Sequence, residues 1–128
     1  MTLRWLNRSL MENSYYMALC TTEKAFEKEL KRLEVPRSDW PRFVSVNANA
    51  TCHFFEKDDA KRVAIVCVGD ATGKTPIELA GLLVHEAVHI WQEHCEFIGE
   101  HKPSIEMEAY AIQRISMDLM WAYAETVK

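Results

Sequence analysis

The stretch that most constrains this chain is residues 85–89, His-Glu-Ala-Val-His, which has the pattern H-E-x-x-H. On an α-helix, side chains four residues apart point the same way, so His85 and His89 share one face. Two imidazoles at this spacing can both reach one zinc ion at about 2.0–2.1 Å. Glu86 follows the first histidine directly, outside the ligand pair, where a general base for a zinc-activated water has to be. The pattern therefore predicts a zinc site on a helix.

Apolar residues surround the motif on almost every side of the expected helix, at 79–84, 87–88 and 90–91. A helix of this composition is normally buried. Two histidines and a carboxylate in a buried helix are costly unless a partner satisfies them, and a metal ion is such a partner. The alternative interpretation is a pair of exposed helical histidines with a glutamate between them and no metal.

The helix that carries the motif has start and stop signals of its own. Thr75, Pro76 and Glu78 predict the N-cap, the first helical residue and the third position of a capping box. We expect the helix to run from Pro76 to position 95 or 97, and we expect Gly99 to end it.

Three short segments rich in aromatic and β-branched residues predict strands, and two amphipathic segments predict further helices. The strands are 15–20, 51–56 and 62–68, and the helices run from a cap at Thr21 or Thr22 to about Leu33 and from Pro103 or Ser104 to about Glu125. A helix continuing from a capping box at Ser9 and Glu12 is the alternative to the first strand.

The second and third strands are expected to form a hairpin. A turn centred at 59–60 sets Phe54 opposite Ile65 and places His53 on the other face, where we interpret it as a structural residue. The strand at 63–68 is expected to offer an edge to an extended peptide.

The chain has 128 residues and a net charge of −4, which is ordinary for a single globular domain. This charge gives no electrostatic footprint for nucleic acid or an anionic membrane, so we expect neither as a partner. No apolar run reaches the roughly 18–20 residues that span a bilayer, and the first residues contain no apolar signal-peptide region. The four cysteines form no C-x-x-C pair. We therefore expect reduced thiols in a cytoplasmic protein.

A catalytic zinc usually takes three protein ligands and leaves a fourth position for water. The third histidine of the metzincin pattern would stand at position 95, which is a cysteine here, so that class is excluded. The remaining candidates are Glu106 and Glu108 in the last helix and His101 in the loop before it. The two glutamates are about 200° apart around a helix, so only one of them can face the metal.

The run 85–92, followed by Glu106-x-Glu108-Ala109-Tyr110, resembles the gluzincin side of the zinc metallopeptidases. In particular, it is similar to small metallopeptidases encoded by bacteriophages and prophages. Many gluzincins carry the third ligand in an E-x-x-A pattern, which residues 106–109 match with Glu106 as the ligand. The resemblance therefore implies one zinc ion per chain, held by Glu106 and the two histidines of the motif.

The resemblance also implies an α+β, minimal zincin-like fold over residues 1–128, in which a small antiparallel or mixed sheet packs on the H-E-x-x-H helix and a C-terminal helix. It implies hydrolysis of a peptide or protein substrate with Glu86 as the catalytic base, in a bacterial or phage-infected cell. Tyr110, which shares a helix face with Glu106, and His101 are expected to donate a hydrogen bond to the oxyanion or to a metal-bound group.

Two other functions fit the sequence. The first is a zinc-binding but non-catalytic structural or interaction protein, for which a fourth protein ligand such as His101 or Cys95 would be expected. The second is an interaction module without metal. A stripe of methionine and tryptophan side chains on the last helix leaves both a monomer and a homodimer open.

Overall fold

The computed structural model describes residues 13–57 and 61–127 of the chain. Its strands are β1 (Tyr15–Cys20), β2 (Ala50–Glu56) and β3 (Arg62–Val68), and its helices are α1 (Glu23–Arg32), α2 (Pro76–Ile98) and α3 (Ile105–Thr126), with a short 3₁₀ turn at Arg37–Asp39. This is the α+β composition that the sequence predicts, with a small mixed sheet. The capping box expected at Ser9 and Glu12 and the turn centred at 59–60 lie outside the described residues.

The sheet has the strand order β1-β3-β2, so β3 is the central strand. It pairs in parallel with β1 and antiparallel with β2. Residues 63–68 are all buried, because a central strand covered on both faces has no solvent-facing side. The prediction that 63–68 offers an edge to a peptide is therefore wrong, since both of its sides are already paired. Within the described residues, β1 and β2 form the edges of the sheet.

The register of the hairpin differs by one residue from the prediction. Phe54 is paired with Ala64 rather than with Ile65, and the partner of Ile65 is His53. The main-chain N–H of Lys57 donates to the carbonyl oxygen of Lys61 at 2.8 Å, so three residues lie inside the last bonded pair, where the prediction had two. One more residue in the loop moves every residue of β2 to a new partner in β3, one position away from the predicted partner, because loop length sets the register of a hairpin.

The two faces of β3 supply two hydrophobic clusters. Its side chains alternate in direction, so Ala64, Val66 and Val68 join the cluster that α2 and α3 cover. The residues in between join a second cluster on the opposite face, which α1 covers. The sheet is thus the middle layer between α1 and the α2–α3 pair, and the H-E-x-x-H helix lies on one face of it.

Helix α1 closes the second cluster as its pattern predicts. The Thr22 side chain accepts a hydrogen bond from the Ala25 N–H and caps the helix. Its buried face meets His53, whose ring stacks on Phe26 with 4.9 Å between ring centroids. His53 Nε2 donates to the carbonyl oxygen of Phe43 at 2.9 Å. The interpretation of His53 as a structural residue is confirmed.

Helix α2 begins and ends where its local signals predict. Thr75 and Glu78 form both hydrogen bonds of the capping box. Gly99 ends the helix in the left-handed conformation with φ 76°, a geometry that glycine adopts without a steric penalty. The Nε1–H of Trp91 then donates to the carboxylate of Glu108 at 2.8 Å, which ties the middle of α2 to the first turns of α3. Among the described residues, no helix is long and apolar enough to cross a membrane.

His94 joins α2 to the beginning of β1 from a buried position. Its Nδ1 accepts a hydrogen bond from the Ser14 N–H at 3.3 Å and lies 2.8 Å from the Ser14 Oγ. The side chain is 3% exposed, and its Nε2 has no partner among the described residues. Burial lowers the pKa of His94 below its ordinary value, because the imidazolium form is poorly solvated there.

This lowered pKa predicts that stability depends on pH through His94. Below a pH of about 6.5 the unfolded chain takes up a proton that the folded chain resists, so stability is full above that pH and falls as the pH drops. The slope from this group is at most about 1.4 kcal/mol per pH unit, and it ends at the folded-state pKa. Urea unfolding between pH 7.5 and 5 should show a smaller slope for His94→Gln than for the wild type. The exposed-histidine control His101→Gln should keep the wild-type slope, and equal slopes for all three proteins would contradict this assignment.

Candidate functional site

The two histidines of the motif are exposed on α2, so the expectation that they are buried is wrong, and they converge on one point. On α2 their Nε2 atoms are 3.1 Å apart, and their rings meet edge to face with 4.8 Å between centroids. Two nitrogen ligands that each lie 2.0–2.1 Å from one tetrahedral zinc are separated by about 3.3 Å. The pair formed by His85 and His89 therefore fits two of the ligand positions of such an ion.

Gln92 supports this arrangement from one turn further along α2. Its Oε1 lies 3.3 Å from Nδ1 of His89, so the amide oxygen accepts the proton of that nitrogen. This tautomer makes Nε2 of His89 an acceptor, which takes the Nε2–H of His85 in this structure and is the atom that a metal-binding histidine offers to its ion. Gln92 is not among the site residues predicted from the sequence, although its i+3 spacing from His89 is a signal that could have identified it.

Glu86 is buried beside the histidine pair. Its side chain is only 4% exposed, and its carboxylate accepts a hydrogen bond from the backbone N–H of Cys52. Burial raises the pKa of Glu86, and the nearby His85 and His89 together with the hydrogen bond from Cys52 oppose part of that rise. A carboxylate with a raised pKa is a stronger base than a solvated one, which is what proton abstraction near neutral pH requires.

The hydrogen bond to Glu86 comes from the free edge of β2. At the two ends of this strand, the Gly69 N–H donates to the Asn49 carbonyl and the Lys57 N–H donates to the Lys61 carbonyl. Hydrogen-bonded positions alternate along an antiparallel ladder. The odd-numbered residues of β2 therefore bond to β3, and the even-numbered ones direct their N–H and C=O groups away from it. Cys52 is one of these, so Glu86 lies at a strand edge that has no further strand within the described residues.

A cleft of about 500 Å³ opens beside the motif, and we call it the motif cleft. It lies between the loop 47–49 that leads into β2 and the N-terminal half of α2. His85 and Glu86 line it together with Lys74 and Glu78. The first histidine and the candidate base thus face a space large enough for several residues of a peptide.

The predicted third ligands lie elsewhere in this structure. No third histidine, cysteine, aspartate or glutamate of residues 13–57 and 61–127 completes a metal-binding group with the histidine pair. Glu108 is held by Trp91, which is about 200° around α2 from His89, so this contact places the start of α3 behind the helix. Glu106 is exposed in the first turn of α3.

The other predicted site residues are also separate from the histidine pair. His101 lines a different cavity, together with Trp91 and Glu108. Tyr110 is 67% exposed on α3. Cys95 is buried in the cluster between the sheet and the two long helices, where burial raises the pKa of its thiol. The structure therefore brings together His85, Glu86 and His89, and among the described residues neither Cys95, His101, Glu106 nor Glu108 completes a metal-binding group with them.

Comparison of the chain with protein-family models, with curated proteins and with solved structures found no match. Its relation to the gluzincins therefore stays a prediction that depends on residues 85–92 and 106–110.

Proposed function

We propose that this chain is a zinc-dependent peptidase with a minimal zincin-like fold, in which His85 and His89 hold the metal ion and Glu86 is the general base. The observation that carries the proposal is the 3.1 Å separation of the two Nε2 atoms beside a buried carboxylate. His85 and His89 are exposed, as they would also be without a metal, but the glutamate between them is buried at a cost that the contact with the Cys52 N–H offsets only in part.

The chemistry divides between the metal ion and this chain's own residues. When bound, zinc supplies Lewis acidity that lowers the pKa of water to about 7 and polarises a carbonyl group. The Glu86 carboxylate accepts the proton of the attacking water and afterwards delivers it to the leaving amine. The backbone N–H of Cys52 holds the carboxylate in place, and the surrounding apolar side chains keep bulk water away from it.

The edge of β2 is the proposed docking strand for the substrate. The outward N–H of Cys52 is taken by Glu86, and the other outward N–H and C=O groups of the even-numbered residues can extend the sheet by one strand, so main-chain hydrogen bonds would align a peptide beside Glu86. The motif cleft would then take the residues on one side of the bond that is cut. This position replaces β3, which the sequence analysis named and which is paired on both sides.

Glu106 is the proposed third ligand. The Glu108 side chain is already bonded to Trp91, whereas the Glu106 side chain has no hydrogen bond or ion pair within the described residues and is exposed to solvent. A carboxylate that is not already bonded is the one that can be recruited by an ion. Because the first turn of α3 lies behind α2, this role requires the turn to shift toward His89 when metal binds.

The proposal is tested by a cleavage assay on a fluorescein-labelled unfolded casein. We expect protein loaded with one equivalent of zinc to release fluorescent fragments, chelator-treated protein to be inactive, and zinc addition to restore the activity. Stoichiometric zinc binding without cleavage of the casein or of a peptide library would instead establish the non-catalytic alternative.

A further inference from the structure

A second cavity lies on the other side of Glu86 from the motif cleft. It has a volume of about 470 Å³ and opens between the end of β2, the beginning of β3 and the C-terminal half of α2. We call it the acidic pocket. Its apolar wall consists of Tyr15 and Phe54, which meet edge to face at 5.4 Å, and of Phe97, which is 50% exposed.

The charges of the acidic pocket are unbalanced. Glu56, Glu93 and Glu96 line it, and Arg62 is the one cation among its described lining residues. The guanidinium of Arg62 is ion-paired with Glu56 and lies over the ring of Phe97, 3.8 Å from its centroid. Neither Glu93 nor Glu96 forms an ion pair within the described part of the chain. Two carboxylates therefore remain without a cationic partner above an aromatic wall.

The acidic pocket is aligned with the candidate base. Glu93 follows Glu86 by seven residues, which is two turns of α2 and about 10 Å along the same helix face. The negative charges of Glu86 and Glu93 both add to the effect of burial in raising the pKa of the Cys52 thiol on β2. An extended chain covers about 10 Å in three residues, so a peptide along β2 would pass from the motif cleft, over Glu86, to the acidic pocket.

We infer that the acidic pocket selects peptides with a lysine or arginine side chain two to three residues from the bond at Glu86. The long aliphatic part of such a side chain fits the wall formed by Tyr15 and Phe54, and its cationic end reaches Glu93 and Glu96. This inference rests on the proposed function for the position of the substrate. The selection itself depends only on the pocket and on the edge of β2.

The test measures binding rather than cleavage. The probes are fluorescein-labelled ten-residue alanine–threonine peptides in which one lysine is moved through every position, each matched by a peptide with uncharged norleucine at that position. They are titrated by fluorescence anisotropy against the Glu86→Gln protein with one equivalent of zinc chloride. We expect lysine to bind about tenfold more tightly than norleucine at one or two neighbouring positions, with the preference weakening as salt is raised.

Adding Glu93→Gln and Glu96→Gln should remove this preference, and adding the control Glu27→Gln on α1 should keep it. Equal binding of lysine and norleucine peptides, no peptide binding at all, or a preference that survives Glu93→Gln and Glu96→Gln would overturn the inference. A lysine preference in binding with no cleavage by the zinc-loaded wild type would leave the pocket established and sink the proposed peptidase activity. Cleavage by the zinc-loaded wild type without any lysine preference in binding would support the peptidase activity and overturn the proposed selection by the acidic pocket.

Discussion

Glu86→Gln is expected to reduce kcat/KM for peptide cleavage by about 10²- to 10⁴-fold while leaving zinc content unchanged. The amide has nearly the same shape as the carboxylate, and its oxygen can still accept the hydrogen bond from the Cys52 N–H. The fold is therefore preserved, but the amide cannot take up the proton of a water molecule. The rate is measured on the labelled casein at fixed zinc content, with thermal unfolding as a check on the fold.

The matched control for this prediction is Glu100→Gln, which changes an exposed carboxylate just after α2. It should cleave at the wild-type rate. If Glu86→Gln kept more than half of the wild-type kcat/KM with zinc still bound, Glu86 would not be the base, and the proposed mechanism would fail at that residue.

Phe26→Ala is expected to destabilise the fold by about 3–5 kcal/mol. The Phe26 side chain is 1% exposed at the centre of the cluster under α1. Its ring stacks on His53 and packs at 53° against Phe43, 5.9 Å away. Truncation removes these contacts and leaves a cavity that the rigid central strand cannot fill, since interiors are packed at crystal-like density. The free energy of unfolding is measured by urea denaturation.

Ile77→Ala is the control for Phe26→Ala, because Ile77 is 84% exposed on the first turn of α2. It should change the free energy of unfolding by no more than about 0.5 kcal/mol. A cost below about 1 kcal/mol for Phe26→Ala would contradict the placement of this ring at the centre of the α1 cluster. Should the variant fail to fold at 25 °C, Phe26→Leu provides a smaller truncation of the same side chain.

The ends of the helices were predictable because their signals are local. The Thr22 cap, the capping box of Thr75 and Glu78, and the left-handed Gly99 each depend on residues within one turn of the chain. The positions of the histidines relative to each other were predictable for the same reason, since i and i+4 on a helix are neighbours whatever surrounds them.

The register and the order of the strands were harder to predict. The hairpin register depends on whether two or three residues close the loop after Lys57, and the local composition fits both. The central position of β3 in the sheet, by contrast, does have a signal in the sequence. Residues 63–68 are six consecutive apolar residues, a run typical of a strand covered on both faces, and this pattern argues against an edge. The parallel pairing of β1 with β3 had no local signal.

Only the part of the site that lies on α2 was predictable from the sequence. The contact between Glu86 and the Cys52 N–H joins residues 34 positions apart, and it arises from the packing of α2 on the edge of β2. The position of Glu106 likewise depends on how α3 packs against α2. Here the hydrogen bond from Trp91 to Glu108 joins the two helices. Sequence spacing could identify the pair of glutamates but could not show which side of α2 they face.

Zinc content of the purified protein, measured by elemental mass spectrometry, tests the central claim most directly. After zinc is offered and the excess is removed, we expect about one zinc per chain for the wild type and for Glu108→Ala. We expect none for His89→Ala and a strongly reduced content for Glu106→Ala, with thermal unfolding confirming that each variant is folded. A folded wild-type protein that retains no zinc would contradict the account, because the hydrogen bond between the two Nε2 atoms would then be the whole reason for the convergence of His85 and His89.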